Sequence, residues 1–224
     1  FFGVFDGYGG IAAAREARRT FPTVLEKCLQ DGLSSQELLE RGFEEVDKGM
    51  TSEELMYVGC TCTLIYVWEE GGNVYVQSGN VGDSTCFVKK MKQGCPEIIT
   101  LSQDHKVVSP CEQKRIKEAG IPMVEGQSRI NGIGVARSLA NHFVKSMNVG
   151  MIGTPYISPV IQLEKGDMII ICSDGVWDVF SPEKAFEIVE STPSFKDAAR
   201  ELIVQAMKIV ECRDNVTSIV IQML

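Results

Sequence analysis

The chain reads as an α+β fold in which two antiparallel β-sheets pack as a central sandwich flanked by α-helices, an α-β-β-α arrangement. Three observations lead there. Strand-like runs come in blocks rather than alternating with single helices, which disfavours a doubly wound parallel sheet. Helical stretches come in pairs. Glu69-Glu70-Gly71-Gly72 separates two apolar runs at hairpin spacing, which makes those neighbours antiparallel.

Taken in order, Phe1–Phe5 is an aromatic and β-branched run that ends at Asp6-Gly7, the pattern of a strand entering a turn. Helical periodicity follows over Ala12–Leu29 and Ser35–Lys48, the second opened by a Ser34–Glu37 capping box ahead of Leu38, Leu39 and Phe43. Strands are expected at Cys60–Trp68, Asn73–Ser78, Thr85–Lys89 and Glu97–Leu101, then a helix over Pro110–Ala119. Further strands fall at Tyr156–Leu163 and Met168–Cys172. Two helices follow, over Pro182–Glu190, with Ser181 as N-cap, and over Phe195–Val210; Val216–Met223 is the last strand. The aperiodic stretch Ala140–Pro155 reads as a long surface excursion beside the site.

With 224 residues and 44% hydrophobic content, one domain spanning 1–224 is the expectation. A formal net charge of −8 argues against nucleic acid and against direct binding to anionic membranes. The Arg15, Arg18, Arg19 face reads as solvated helix surface. Eight cysteines without C-x-x-C spacing do not read as a disulfide framework; Cys60, Cys62 and Cys172 lie in apolar strand runs and read as small buried hydrophobes in a reducing compartment, cytoplasmic or nuclear.

Three aspartates share one local design. Asp6 and Asp174 close apolar runs and are followed at once by glycine, while Asp214 opens such a run and is followed by asparagine. Carboxylates gathered at strand ends repel one another unless cations lie between them, and an all-oxygen donor set suits Mg²⁺ or Mn²⁺. Asp83, in Gly79–Ser84, offers a fourth acid, although a plain turn explains it equally well. His105 reads as a hydrogen-bonded loop residue and His142 as a solvent-exposed one.

These segments, in this order, resemble the metal-dependent serine/threonine protein phosphatase family of type 2C. Asp6-Gly7-Tyr8-Gly9-Gly10 is similar to the family's Asp-Gly-His-Gly-Gly, and Gly59-Cys60-Thr61 to its Gly-Ser/Cys-Thr. The stretches Asn80–Thr85, Leu101–Lys106, Arg115–Gly120, Gly134–Leu139, Ser173–Asp178 and Arg213–Asn215 continue the match. The resemblance implies a type 2C-like sandwich with two Mg²⁺ or Mn²⁺ ions at one end. Asp6 would bridge both ions, the Gly7 carbonyl would bind the second, and Asp174 and Asp214 would complete the ligands of the first ion. Asp83 with Asp174 would hold a weaker third. It further implies a monomeric catalytic domain acting on phosphorylated protein substrates, and a metal-activated water that attacks phosphoserine and phosphothreonine.

The chain departs from that pattern in three places. Tyr8 stands where the family has the histidine that protonates the leaving alcohol, and its pKa near 10 suits that task poorly. Ala140-Asn141 stands where the family has Gly-Asp. The family's upstream strands, with another acid and a phosphate-gripping arginine, precede the region matched here. The expectation is therefore a phosphatase of reduced turnover, with Asp6, Asp174, Asp214 and Tyr8 as its catalytic set. The alternative is a phosphatase-like interaction or regulatory module.

Overall fold

A computed structural model describes residues 1–92 and 94–224. Strand β1 (Phe2–Tyr8) leads into helices α1 (Ala12–Gln30) and α2 (Ser35–Gly49), then β2 (Gly59–Glu70), β3 (Asn73–Val81), β4 (Thr85–Lys92) and β5 (Cys95–Thr100). Helix α3 (Pro110–Glu118), β6 (Leu139–Ala140), α4 (His142–Ser146), β7 (Tyr156–Ile157), β8 (Ile161–Leu163) and β9 (Met168–Cys172) follow. The chain closes with α5 (Asp174–Trp177), α6 (Pro182–Ser191), α7 (Ala198–Met207) and β10 (Ser218–Gln222).

One sheet has the order β1-β2-β3-β7, with β6 also pairing β2 and β8 pairing β3; the other has the order β10-β9-β4-β5. Every pair is antiparallel. Alternation along the strands sorts side chains into layers. Val4, Ile65, Val76, Cys86, Val88, Ile169 and Ile171 fill the space between the sheets. Phe21, Leu25, Leu38, Leu39 and Phe43 of α1 and α2 cover the outer face of the first sheet. Phe186, Val189 and Leu202 of α6 and α7 cover the second, over Ile170 and Cys172. The expected α-β-β-α sandwich is present.

Local chemistry accounts for the joints. Glu70 pairs with Asn73 across Gly71 and Gly72, whose φ of 60° and 79° are those of a type I′ hairpin turn. Ser34 and Glu37 form the reciprocal capping box, and the Ser181 hydroxyl accepts from the Lys184 N–H. Trp177 Nε1 donates to the carbonyls of Cys172 (3.0 Å) and Thr85 (3.1 Å), which ties the ends of β9 and β4 together.

The structure differs from the sequence reading in four places. Tyr156–Leu163 forms two short strands, because Pro159 interrupts the ladder between them. Phe195–Val210 begins as a 3₁₀ turn over Phe195–Asp197 before α7. The stretch 140–155 does border the pocket and exposes Phe143 and Met147, but it is anchored and not a free excursion: Ala140, Asn141, Val144 and Met151 are buried, and Ala140 pairs with Gly59 on β2. Its backbone is left-handed at Ala140 and Asn141 (φ 57° and 50°), which breaks the periodicity there. His142 is half-buried, with Nε2 3.0 Å from the Asp47 carbonyl oxygen, so it is not a solvent-exposed loop residue.

All eight cysteines are free thiols; Cys28, Cys60, Cys62, Cys86 and Cys172 are buried, whereas Cys95 and Cys111 are exposed. Arg15, Arg18 and Arg19 are exposed as expected. No helix among the described residues is long and apolar enough to cross a membrane.

Candidate metal-binding active site

One end of the sandwich opens into a pocket of about 900 Å³, lined by Asp6, Gly7, Tyr8, Asp83, Asp174 and Asp214 together with Lys106, Arg129 and Asp178. All the acids singled out from the sequence thus reach one cavity from four separate segments.

Asp6 follows Val4 on the inward face of β1 and pairs in register with Thr61 of β2. Gly7 has no room for a side chain: a Cβ there would meet the Gly10 carbonyl oxygen at 2.7 Å. This tight approach turns β1 directly into α1. Asp83 follows Gly82, whose φ of 94° and contact with Thr61 (2.5 Å to an added Cβ) exclude any other residue type. That turn is held from behind by His105, which donates its backbone N–H to the Gly82 carbonyl (3.1 Å) and accepts the Gly82 N–H at Nδ1 (3.1 Å). Burial lowers the His105 pKa to about 3, so the ring is neutral and structural, as the sequence suggested.

Asp174 is the first residue of α5, straight after β9. Asp214 lies on the loop before β10, and the two loops are clasped together. Gly175 approaches the Asn215 carbonyl so closely that a Cβ would lie 2.4 Å from it. The Ser173 hydroxyl donates to the Asn215 carbonyl (3.2 Å) and accepts the Thr217 N–H (3.1 Å). The glycine after Asp174 therefore serves inter-loop contact.

The electrostatics are those of crowded acids. Burial, then Asp174, then Asp214 raise the Asp6 pKa to about 7, and burial, then Asp214, raise that of Asp174. Burial, then Asp174, raise Asp83 to about 7. Asp174 Oδ1 is buried and meets no donor group. A buried carboxylate oxygen without a donor beside other acids is the kind of ligand a hard cation takes, so the donor set fits Mg²⁺ or Mn²⁺. The cage is open, however: among the described residues no three Asp, Glu, His or Cys side chains stand close enough to enclose an ion unaided. Asp6 and Asp174 are half-buried in the pocket wall, and Asp214 is exposed on the same wall.

Tyr8 lines the pocket, but its hydroxyl is engaged. It shares a 2.7 Å bond with the Ser138 hydroxyl and accepts from Asn141 Nδ2 at 3.3 Å. Its ring end fills the place of a side chain at Gly59, where a Cβ would lie 2.4 Å from the hydroxyl oxygen. The two departures at Tyr8 and Asn141 are thus in direct contact.

Sequence reasoning passed over three residues here. Asp47, inside the amphipathic α2, accepts the Ala140 N–H (2.7 Å) and binds Lys145 (2.7 and 2.8 Å), pinning the strained 140–141 backbone. Lys106 reaches Asp178 at 2.9 Å across the pocket. Arg129 borders the pocket on the loop after α3. Helical periodicity hides Asp47 on a polar face, and nothing local marks the other two.

The family profile described as Protein phosphatase 2C matches residues 1–216, and the chain belongs to that family. Among curated relatives, a probable protein phosphatase of Dictyostelium discoideum is 40% identical over 99% of this chain, which spans only 25% of that protein. Protein phosphatase 1L of Bos taurus is 32% identical over 99% of this chain and 63% of its own length. Among solved structures, the serine-threonine phosphatase 2C of Toxoplasma gondii matches with a TM-score of 0.75 at 19% identity, over 98% of this chain and 83% of that one. This last likeness speaks to the fold.

Proposed function

We propose that the chain is a metal-dependent phosphoprotein phosphatase that hydrolyses phosphoserine and phosphothreonine by attack of a water molecule on phosphorus. The observation that carries this reading is the convergence of Asp6, Asp83, Asp174 and Asp214 on one pocket, with Asp6 and Asp83 pushed up to about pH 7 by burial and by their neighbours. Such an acid cluster is costly unless a cation occupies it. Membership of the phosphatase 2C family supports the same reading.

Asp6, Asp174 and Asp214, with the Gly7 carbonyl, would hold two Mg²⁺ or Mn²⁺ ions, and Asp83 with Asp174 a weaker third. The chemistry such ions supply is a nucleophile from water at neutral pH and screening of the phosphoryl charge. The protein's own work is positional. β1 and the clasped 173–175 and 214–217 loops fix the carboxylates from opposite sheets, so their spacing follows the packing of the sandwich. Lys106, held by Asp178, places a cation beside the acids. Tyr8 carries no free proton path of the histidine kind, because its hydroxyl is bonded to Ser138 and Asn141. Leaving groups that need protonation should therefore react more slowly than aryl phosphates.

The test is phosphate release from an aryl phosphate and a phosphopeptide at millimolar Mn²⁺. Asp174→Asn should lose at least about 10²-fold, on the scale of a removed electrostatic stabiliser. Native activity no higher than that of the variant would overturn the reading. Metal binding by calorimetry without turnover would favour the interaction-module alternative.

A further inference from the structure

We propose that Arg129 is a specificity-determining residue that recognises an acidic side chain flanking the phosphorylated residue of the substrate. The inference rests on the phosphatase reading only for what enters the pocket.

The pocket wall carries five carboxylates, Asp6, Asp83, Asp174, Asp178 and Asp214, against two cations, Lys106 and Arg129. Lys106 is already committed to Asp178. The Arg129 guanidinium makes one hydrogen bond, Nη1 to the Gly132 carbonyl at 2.8 Å, and no ion pair among the described residues. Four of its five N–H groups are open, in a planar fork that matches a carboxylate.

The mount of this arginine is rigid. Ile130 is buried, and Ile130 and Ile133 exchange two backbone hydrogen bonds of 2.9 Å around Asn131 and Gly132. The φ values of 48° and 83° at those two residues make a tight turn of fixed shape. Gln127 Nε2 donates to the Arg129 carbonyl at 3.1 Å. The backbone is pinned while the side chain is exposed at the pocket mouth.

Charge decides which group it meets. With ions held by the half-buried acids and Lys106 committed to Asp178, Arg129 is the side-chain cation of this wall still open to an acidic residue beside the phosphate. The phosphoryl group belongs with the half-buried acids and the ions they would bind, whereas Arg129 stands at the rim.

The test uses fluorescent peptides with a non-hydrolysable phosphonate analogue of phosphoserine, flanked by glutamate or by alanine, in millimolar Mn²⁺. Anisotropy reads binding, so turnover is not required. An exposed ion pair gives a modest effect, and the native chain should bind the glutamate-flanked peptide about two- to fivefold more tightly. Arg129→Ala should erase that preference without changing the melting temperature, and Arg129→Lys should keep part of it. A preference that is absent from the native chain, or that survives in Arg129→Ala, overturns the proposal, as does failure of both peptides to bind. Equal weakening for both peptides, with weaker competition by inorganic phosphate, would assign Arg129 to the phosphoryl group instead and also overturn it. Failure of aryl phosphate hydrolysis, measured separately, would count against the phosphatase reading alone.

Discussion

Asp174→Asn should stabilise the metal-free protein and destabilise it relative to the native chain once Mn²⁺ is present. In the native fold, burial and the neighbouring acids raise Asp6 from 3.8 to about 7, with Asp174 the largest charge contribution. A carboxyl whose folded pKa lies above its unfolded value is penalised for ionising. The penalty is absent below about pH 4, grows between pH 4 and 7, and is complete above pH 7. One pKa unit corresponds to about 1.4 kcal/mol. Part of the shift comes from burial, which the substitution leaves in place, and the half-exposed setting of Asp6 allows solvent screening. About 1–2 kcal/mol is therefore the expected relief, or roughly 3–6 °C in melting temperature for a domain of this size. Differential scanning fluorimetry in chelator at pH 7.5 measures it, and the gap should close towards pH 4. Saturating Mn²⁺ at about 100 times its Kd adds about 2.7 kcal/mol to the native chain and less to the variant, which reverses the order. A variant that melts lower in chelator at pH 7.5, or that gains as much from Mn²⁺ as the native chain, refutes the account of these acids as a strained cation site.

Tyr8→Phe should lower stability by about 1–3 kcal/mol by stripping a bond from Ser138 and Asn141, whose Oδ1 already lacks a partner, as thermal melts would show. Tyr8→His should raise turnover on phosphopeptides more than on aryl phosphates, since imidazole titrates near neutrality; equal change on both substrates would mean that proton delivery is not what limits the native chain. Glu112 is fully buried between Arg115 (2.6 Å) and Arg137 (2.7 Å). Burial alone would raise its pKa, yet the two arginines bring it below the ordinary value. Glu112→Ala leaves both guanidinium groups without their shared partner and should cost about 3 kcal/mol, read by urea unfolding; a change under about 1 kcal/mol would show that solvent replaces the carboxylate.

Legibility in the sequence followed the range of each interaction. The hairpin at Gly71-Gly72, the Ser34 capping box and the Ser181 N-cap are settled within a few residues, and the chain spells them out. The anchoring of the stretch 140–155 is not legible because it is imposed from afar: Asp47 holds the Ala140 N–H, and the backbone adopts left-handed angles no local signal announces. Arg129 was invisible for a related reason, since an unpaired arginine is recognised only after every other charge has been placed.

Alternation of apolar residues and turn chemistry pointed to two antiparallel sheets with helices outside and marked Asp6, Asp174 and Asp214 as carboxylates at strand ends, and the ordered motifs of the family joined them into one site. Only the tertiary structure decided which carboxylates line one cavity, why glycine follows Asp174, and that the Tyr8 hydroxyl is bound by Ser138 and Asn141. The physical reason is that burial patterns are written along the chain at periods of two and 3.6 residues, whereas the contacts of a site join segments more than a hundred residues apart, whose spacing is fixed by how two sheets pack.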